Sequence, residues 1–163
     1  MKKLLITLTL GFWISMVQAF AHSENEIGPH GGRILEFSKN QSVHGEVVLT
    51  NGVFQVVLLD KDMKPMPLKE QSLVVTGGSR SDPQKPKIEK TADRFVFPKL
   101  AGETYLLVFQ FKENSSAKAV TARFQYDAAK CGKCAKEEWL CDCGLKAKAR
   151  AEGDKKKKQG HLK

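Results

Sequence analysis

The sequence predicts an all-β fold in which two antiparallel sheets pack face to face. Short apolar runs recur between turn signals from residue 33 to residue 126, a spacing typical of β-sandwiches. Asn51-Gly52 separates two β-branched runs, and this dipeptide is the strongest short signal for a hairpin with a type I′ turn. The same region shows no helical periodicity. We therefore expect an immunoglobulin-like or cupredoxin-like sandwich, with a small barrel as the alternative, because a sequence does not show whether a sheet closes.

Eight strands are predicted, and each is bounded by residues that favour turns. The first follows Gly31-Gly32, and the second and third flank Asn51-Gly52. The fourth ends at Gly77-Gly78, and Pro98 stops the sixth. The last two are the long runs near the end of the domain. In chain order the predicted strands are 33–37, 45–50, 53–60, 73–76, 87–90, 94–97, 104–111 and 119–126.

The N-terminus has the pattern of an export signal. Two lysines precede an apolar run from Leu4 to Val17, and Ala19 and Ala21 supply the small residues that a signal peptidase accepts. The run is shorter than the about 20 residues of a membrane-spanning helix. We therefore expect a signal peptide at 1–21 and a periplasmic or secreted protein without a membrane span. Cleavage after Ala21 would make His22 the new N-terminus, whereas cleavage after Ala19 would leave Phe20 there.

The remaining chain is expected to form one domain with a basic extension. Residues 22–127 carry 14 Lys and Arg against 13 Asp and Glu, whereas residues 128–163 carry 11 against 5. Residues 128–150 are rich in Ala, Lys and Glu, which favour helix. We expect the sandwich at 22–127, a Cys-rich and partly helical segment at 128–150, and a disordered basic tail at 151–163.

All four cysteines of the chain lie in the spacing C-x2-C-x6-C-x-C, as Cys131, Cys134, Cys141 and Cys143. Such a cluster can bind one soft metal ion as thiolates, form two short-range disulfides, or exchange redox equivalents. An oxidising compartment favours disulfides, and the closing C-x-C favours a soft metal. Redox catalysis is disfavoured because no βαβ pattern surrounds the C-x2-C pair. On a helix, the first three cysteines would share one face.

Histidines near the predicted mature N-terminus form a second candidate site. A terminal His22 would offer an α-amine and an imidazole to copper or zinc, and His30 follows within Gly-Pro-His-Gly-Gly. Met63 and Met66 add thioethers of the kind that bind Cu(I). The structural alternatives are a frayed terminus for His22, a turn residue for His30, and a loop over the core for the two methionines.

The predicted signal peptide and the predicted sandwich are separated by a distinctive block, Gly28-Pro29-His30-Gly31-Gly32-Arg33-Ile34-Leu35. This block resembles a motif of small exported bacterial proteins. It is also similar to the N-terminal segment of periplasmic adaptor subunits of heavy-metal efflux systems. The resemblance covers residues 28–68 and implies a periplasmic location and a link to metal handling, with His30 as the matching position. The chain lacks the long helical hairpin and lipoyl-like region of the adaptors, and its Cys-rich segment has no counterpart in the pattern.

No sequence feature indicates catalysis or nucleic-acid binding. The chain has no nucleophile elbow, phosphate loop, dinucleotide fingerprint or zinc-protease motif. Its lysine-rich end lacks interleaved aromatic residues, which favours a solvated tail over a nucleic-acid interface. The sequence therefore predicts a non-enzymatic protein that binds copper or zinc for storage, delivery or resistance, with a metal-efflux or envelope protein as a candidate partner. The alternative is a secreted interaction or scaffold module whose cysteines form disulfides and bind no metal.

Overall fold

Nine strands form two antiparallel sheets within residues 26–144, the part of the chain that the computed structural model describes. They are β1 (Arg33–Glu36), β2 (Val43–Thr50), β3 (Val53–Asp60), β4 (Ser72–Gly78), β5 (Pro83–Gln84), β6 (Glu89–Lys90), β7 (Arg94–Pro98), β8 (Thr104–Lys112) and β9 (Val120–Asp127). One sheet has the order β1-β2-β3-β7-β6 and the other β5-β4-β8-β9. The predicted two-sheet sandwich is confirmed. Strand β5 was not predicted, because two residues are too short to show a period.

Buried and more exposed residues alternate along the strands, and the buried ones form the core between the sheets. In β8, Tyr105, Leu107, Phe109 and Phe111 are buried and face the other sheet, while the residues between them are more exposed. This is the period of two that a half-buried strand requires. Aromatic rings dominate the layer, and the ring of Phe111 stacks on that of Phe37 with centroids 4.7 Å apart.

The hairpin predicted at Asn51-Gly52 is present. Both residues have positive φ, 51° for Asn51 and 76° for Gly52, as a type I′ turn requires. The flanking strands pair without a break from Thr50–Val53 to Val43–Asp60. Strand β2 begins two residues earlier than predicted, and the Val43 N–H, at this earlier start, donates to the hydroxyl of Ser38 at 2.9 Å.

The five-stranded sheet is buried on part of its outer face as well. Glu46 and Leu59 lie in β2 and β3 and have no solvent exposure. The loop at 28–32 covers Glu46, and Met63, in the loop after β3, packs on a small cluster that contains Leu59. Two loops therefore lie on this face.

The predicted helix after the sandwich is absent from Ala128 to Asp142. This stretch contains one 3-10 turn, Glu138–Leu140, and the cysteines therefore do not share a helix face. Ala135 has a φ of +57°, which interrupts helical geometry, and Trp139 is buried in the sandwich core. The helix propensity of Ala, Lys and Glu is a weak preference that tertiary packing overrides here.

Several predicted features lie outside the described residues. They are the signal peptide at 1–21, His22, the end of the Cys-rich segment at 145–150, and the basic tail at 151–163. Among residues 26–144, no helix has the length and apolar character needed to cross a membrane.

We predict that Gly45→Ala destabilises the sandwich, because an added methyl group would overlap the Phe37 ring. That ring is held by its stack on Phe111, so overpacking should lower the free energy of unfolding by about 1–3 kcal/mol in urea denaturation. Gly132→Ala is the matched control, since its methyl group would meet no atom within 4 Å; its effect should stay within about 0.5 kcal/mol. Equal stability of the two variants would contradict the packing at Gly45.

Candidate metal centre

The first two cysteines lie in a small hairpin that follows β9. Lys130 and Glu137 pair in an antiparallel bridge that closes it. The Cys131 N–H donates to the Lys136 carbonyl at 2.8 Å, and the Cys131 carbonyl accepts from the Ala135 N–H at 2.9 Å. These bonds fix the backbone of the C-x2-C pair.

A buried tryptophan anchors the chain between the second and third cysteines. Trp139 is 2% exposed, and its ring stacks on Phe124 with centroids 5.5 Å apart. Its carbonyl accepts a hydrogen bond from the Arg33 guanidinium at 3.2 Å, which ties the turn to β1. The Glu138 N–H donates to the Ala129 carbonyl at the base of the hairpin. The turn thus sends the chain back toward the hairpin and brings the last two cysteines to the first two.

The four cysteine sulfurs form one group. All lie within 4.8 Å of one another, with the Cys141 sulfur 3.3 Å from that of Cys131 and 3.8 Å from that of Cys134. A tetrahedral zinc site with Zn–S bonds of about 2.3 Å has sulfurs about 3.8 Å apart. A disulfide needs about 2.05 Å, and all four cysteines are free thiols in the structure. The arrangement fits a four-coordinate metal ion.

The backbone around the cluster favours the thiolate form of Cys131. The N–H groups of Lys133 and Cys134 point at the Cys131 sulfur and, with the Cys141 thiol, lower the pKa of Cys131 to about 7. The thiols of Cys134 and Cys141 raise the pKa of Cys143 to about 12. The Cys143 N–H lowers the pKa of Cys141, but the Cys131 sulfur and burial outweigh it and raise that pKa overall. One thiolate forms readily, and full ionisation of the cluster needs a cation among the sulfurs.

Two lysines near the cysteines in the sequence pair with carboxylates of the same segment. The Lys130 ammonium lies 3.5 Å from Glu137, and that of Lys136 lies 3.7 Å from Asp142. Their positive charges therefore face the carboxylates of the same segment.

Neither His30 nor His44, the two histidines in the described part of the chain, joins the cysteine cluster. The Nδ1 atom of His30 lies 2.6 Å from the carboxylate of Glu46, and that of buried His44 lies 3.0 Å from Glu36. His22, the predicted partner of His30 in the second candidate site, lies outside the described residues. Glu46 was missed by sequence reasoning, although a lone carboxylate in the apolar run of β2 signals a buried polar group that needs partners.

Trp139 was also missed as an anchor, because its only sequence signal is a large aromatic residue within a lysine- and glutamate-rich segment.

No family model, curated protein or solved structure matches this chain. The functional conclusions therefore rest on the fold and on the geometry of the four sulfurs.

Proposed function

We propose that this chain is an exported, non-enzymatic protein that binds one transition-metal ion, zinc in the first place, through Cys131, Cys134, Cys141 and Cys143. The observation that carries the proposal is the approach of all four sulfurs to within 4.8 Å of one another. Four thiolates in a near-tetrahedral arrangement suit zinc. Copper as Cu(I) is the second candidate, since thiolates also select it.

A set of four cysteine ligands supports a protein that holds a metal ion and does not use it for catalysis. Catalytic zinc sites keep one coordination position open for water or substrate, whereas four protein ligands close the site. Cys131 is buried, but the other three cysteines are only half-buried. A partner's thiolate therefore has access to the cluster, which supports storage and delivery of the ion over a permanently enclosed structural role.

Export is supported by the N-terminal sequence, with its lysines, apolar run and small residues before His22. In an oxidising compartment free thiols form disulfides unless they are protected. Bound metal protects them, because its ligands are coordinated thiolates. The rival role, a disulfide-bonded scaffold module, predicts paired sulfurs, and the separations of 3.3 Å and 3.8 Å support the metal instead.

Zinc should bind the purified chain at one equivalent, and Cys131→Ser or Cys141→Ser should weaken binding. Four-ligand structural zinc sites bind with about 10–16 kcal/mol, so loss of one ligand should cost at least about 100-fold in affinity. Competition with a chromophoric chelator measures this.

Lys133→Ala is the matched control, because its side chain is exposed and its backbone N–H remains at the Cys131 sulfur. Its zinc affinity should stay within a few-fold of wild type. Two or more zinc ions at saturation, or unchanged affinity in both Cys→Ser variants, would contradict a single four-thiolate site.

Removing the metal should loosen Trp139. The tryptophan lies between Cys134 and Cys141, so the same loop closes around the ion and inserts the ring into the core. Trp139 is the only tryptophan after residue 21. In the chain cleaved at that point, we expect chelation to shift its fluorescence to longer wavelength while the far-UV β-sheet signal persists. An emission spectrum unchanged by metal removal would show that the core holds the ring without help from the ion.

Protein isolated from its native compartment should begin at His22, or at Phe20, and should carry about one metal ion with four protected thiols. Intact mass gives the N-terminus, elemental analysis gives the metal, and thiol titration after chelation gives the free cysteines. Zero titratable thiols and no metal would favour the scaffold role. A mass that includes residues 1–19 would rule out signal cleavage.

A further inference from the structure

A cavity lies on the outer face of the five-stranded sheet, apart from the cysteines. Its volume is about 420 Å³. The apolar side chains of Val48 and Val57 contribute to its lining, as do His30 from the loop at 28–32 and Met66 from the loop after β3. The two loops on this face thus each contribute one lining residue with a metal-binding type of side chain, a histidine and a methionine.

The imidazole of His30 is oriented by a buried carboxylate. Glu46 has no solvent exposure, and one of its oxygens accepts from the backbone N–H groups of His30 at 2.7 Å and Gly32 at 2.9 Å. Its other oxygen lies 2.6 Å from His30 Nδ1. Because a carboxylate only accepts, Nδ1 carries the hydrogen that faces Glu46, and Nε2 is the ring nitrogen left to meet a ligand. The His30 side chain is 47% exposed. A histidine held in this way has the orientation of a metal ligand.

Met66 supplies a soft donor. Its backbone N–H donates to the Leu58 carbonyl at 2.8 Å, which fixes this part of the loop against β3. Met66 is partly buried against the main core, whereas Met63, the other methionine of the loop, packs on the cluster formed by Ile34, Val57 and Leu59. Of the two thioethers singled out in the sequence, Met66 is the one that lines the cavity.

The remaining polar groups of the cavity are already paired. The Arg94 guanidinium donates to Asp93 and to Gln55, and it holds the pKa of Asp93 at about 2. Within residues 26–144, the only group of three or more His, Cys, Asp or Glu side chains with metal-site geometry is the cysteine cluster. The cavity therefore lacks the ligand set of a divalent ion, which prefers several nitrogen and oxygen donors.

We propose that His30 Nε2 and Met66 Sδ bind one Cu(I) ion in this cavity, at a site separate from the cysteine cluster. Thioether and imidazole donors suit Cu(I), which accepts low coordination numbers. Glu46 is a positioning residue, because it acts on the metal through the His30 ring. The inference goes beyond the proposed zinc site and does not depend on it.

The test uses the mature chain with all four cysteines replaced by serine, so that the thiolates do not compete. We expect it to bind one equivalent of Cu(I), or of Ag(I) as a redox-inert probe. NMR signals of the His30 ring and the Met66 methyl group should shift together in that step. His30→Gln or Met66→Leu should reduce binding at least tenfold, and Glu46→Gln should weaken it about 10–100-fold.

Two matched controls should bind as the parent does. His44→Gln removes a second carboxylate-paired histidine whose side chain is only 6% exposed, and Met63→Leu removes the second thioether of the loop. If the four-serine chain does not fold, the wild-type chain is titrated beyond saturation of its thiols and the same two NMR signals are followed. Absence of a shift at either residue, or unchanged affinity in His30→Gln, would overturn the proposal. We expect His30→Gln to leave the zinc stoichiometry at the cysteines unchanged. A zinc titration of this variant therefore distinguishes failure of the Cu(I) site from failure of the zinc site.

Discussion

Burial of the Trp139 ring is the interaction on which the cysteine site depends. The ring stacks on Phe124 and meets the edge of Phe54, so it belongs to the same apolar core as the two sheets. A large aromatic side chain contributes several kcal/mol when buried. That stabilisation fixes a segment with little other apolar surface, and it holds the loop between Cys134 and Cys141 in place. One anchor, within the loop that carries the cysteines, therefore holds the cluster against the sandwich.

A buried carboxylate has a corresponding role at the loop that covers β2. Glu46 would be costly inside β2 without partners. The backbone N–H groups of His30 and Gly32 and the His30 ring satisfy it. Gly28 and Gly32 allow this close approach, since a Cβ at either position would overlap β2, at the Glu46 side chain and the Val47 backbone respectively. The Gly-Pro-His-Gly-Gly block is thus explained by local packing before any ligand is considered.

The two proposed sites differ in the chemistry that they would offer. The proposed zinc site would be anionic when loaded and would retain its ion through four thiolates. The proposed Cu(I) site would offer one imidazole and one thioether at an accessible cavity, which suits a monovalent soft ion. Export, proposed from the N-terminal sequence, would make the first site double as protection of thiols against oxidation.

Much of the fold was determined by local sequence. Alternating apolar residues specified most strands to within two residues, and Asn51-Gly52 specified its turn, because period and turn chemistry act between neighbours in the chain. The spacing of the cysteines indicated a cluster for the same reason. Only the tertiary structure decided that residues 128–142 do not form an α-helix, since burial of Trp139 in the core outweighs the weak helix propensity of this stretch. It likewise decided which residue His30 faces, because the pairing of β1 with β2 brings Glu46 to it from 16 positions away in the sequence.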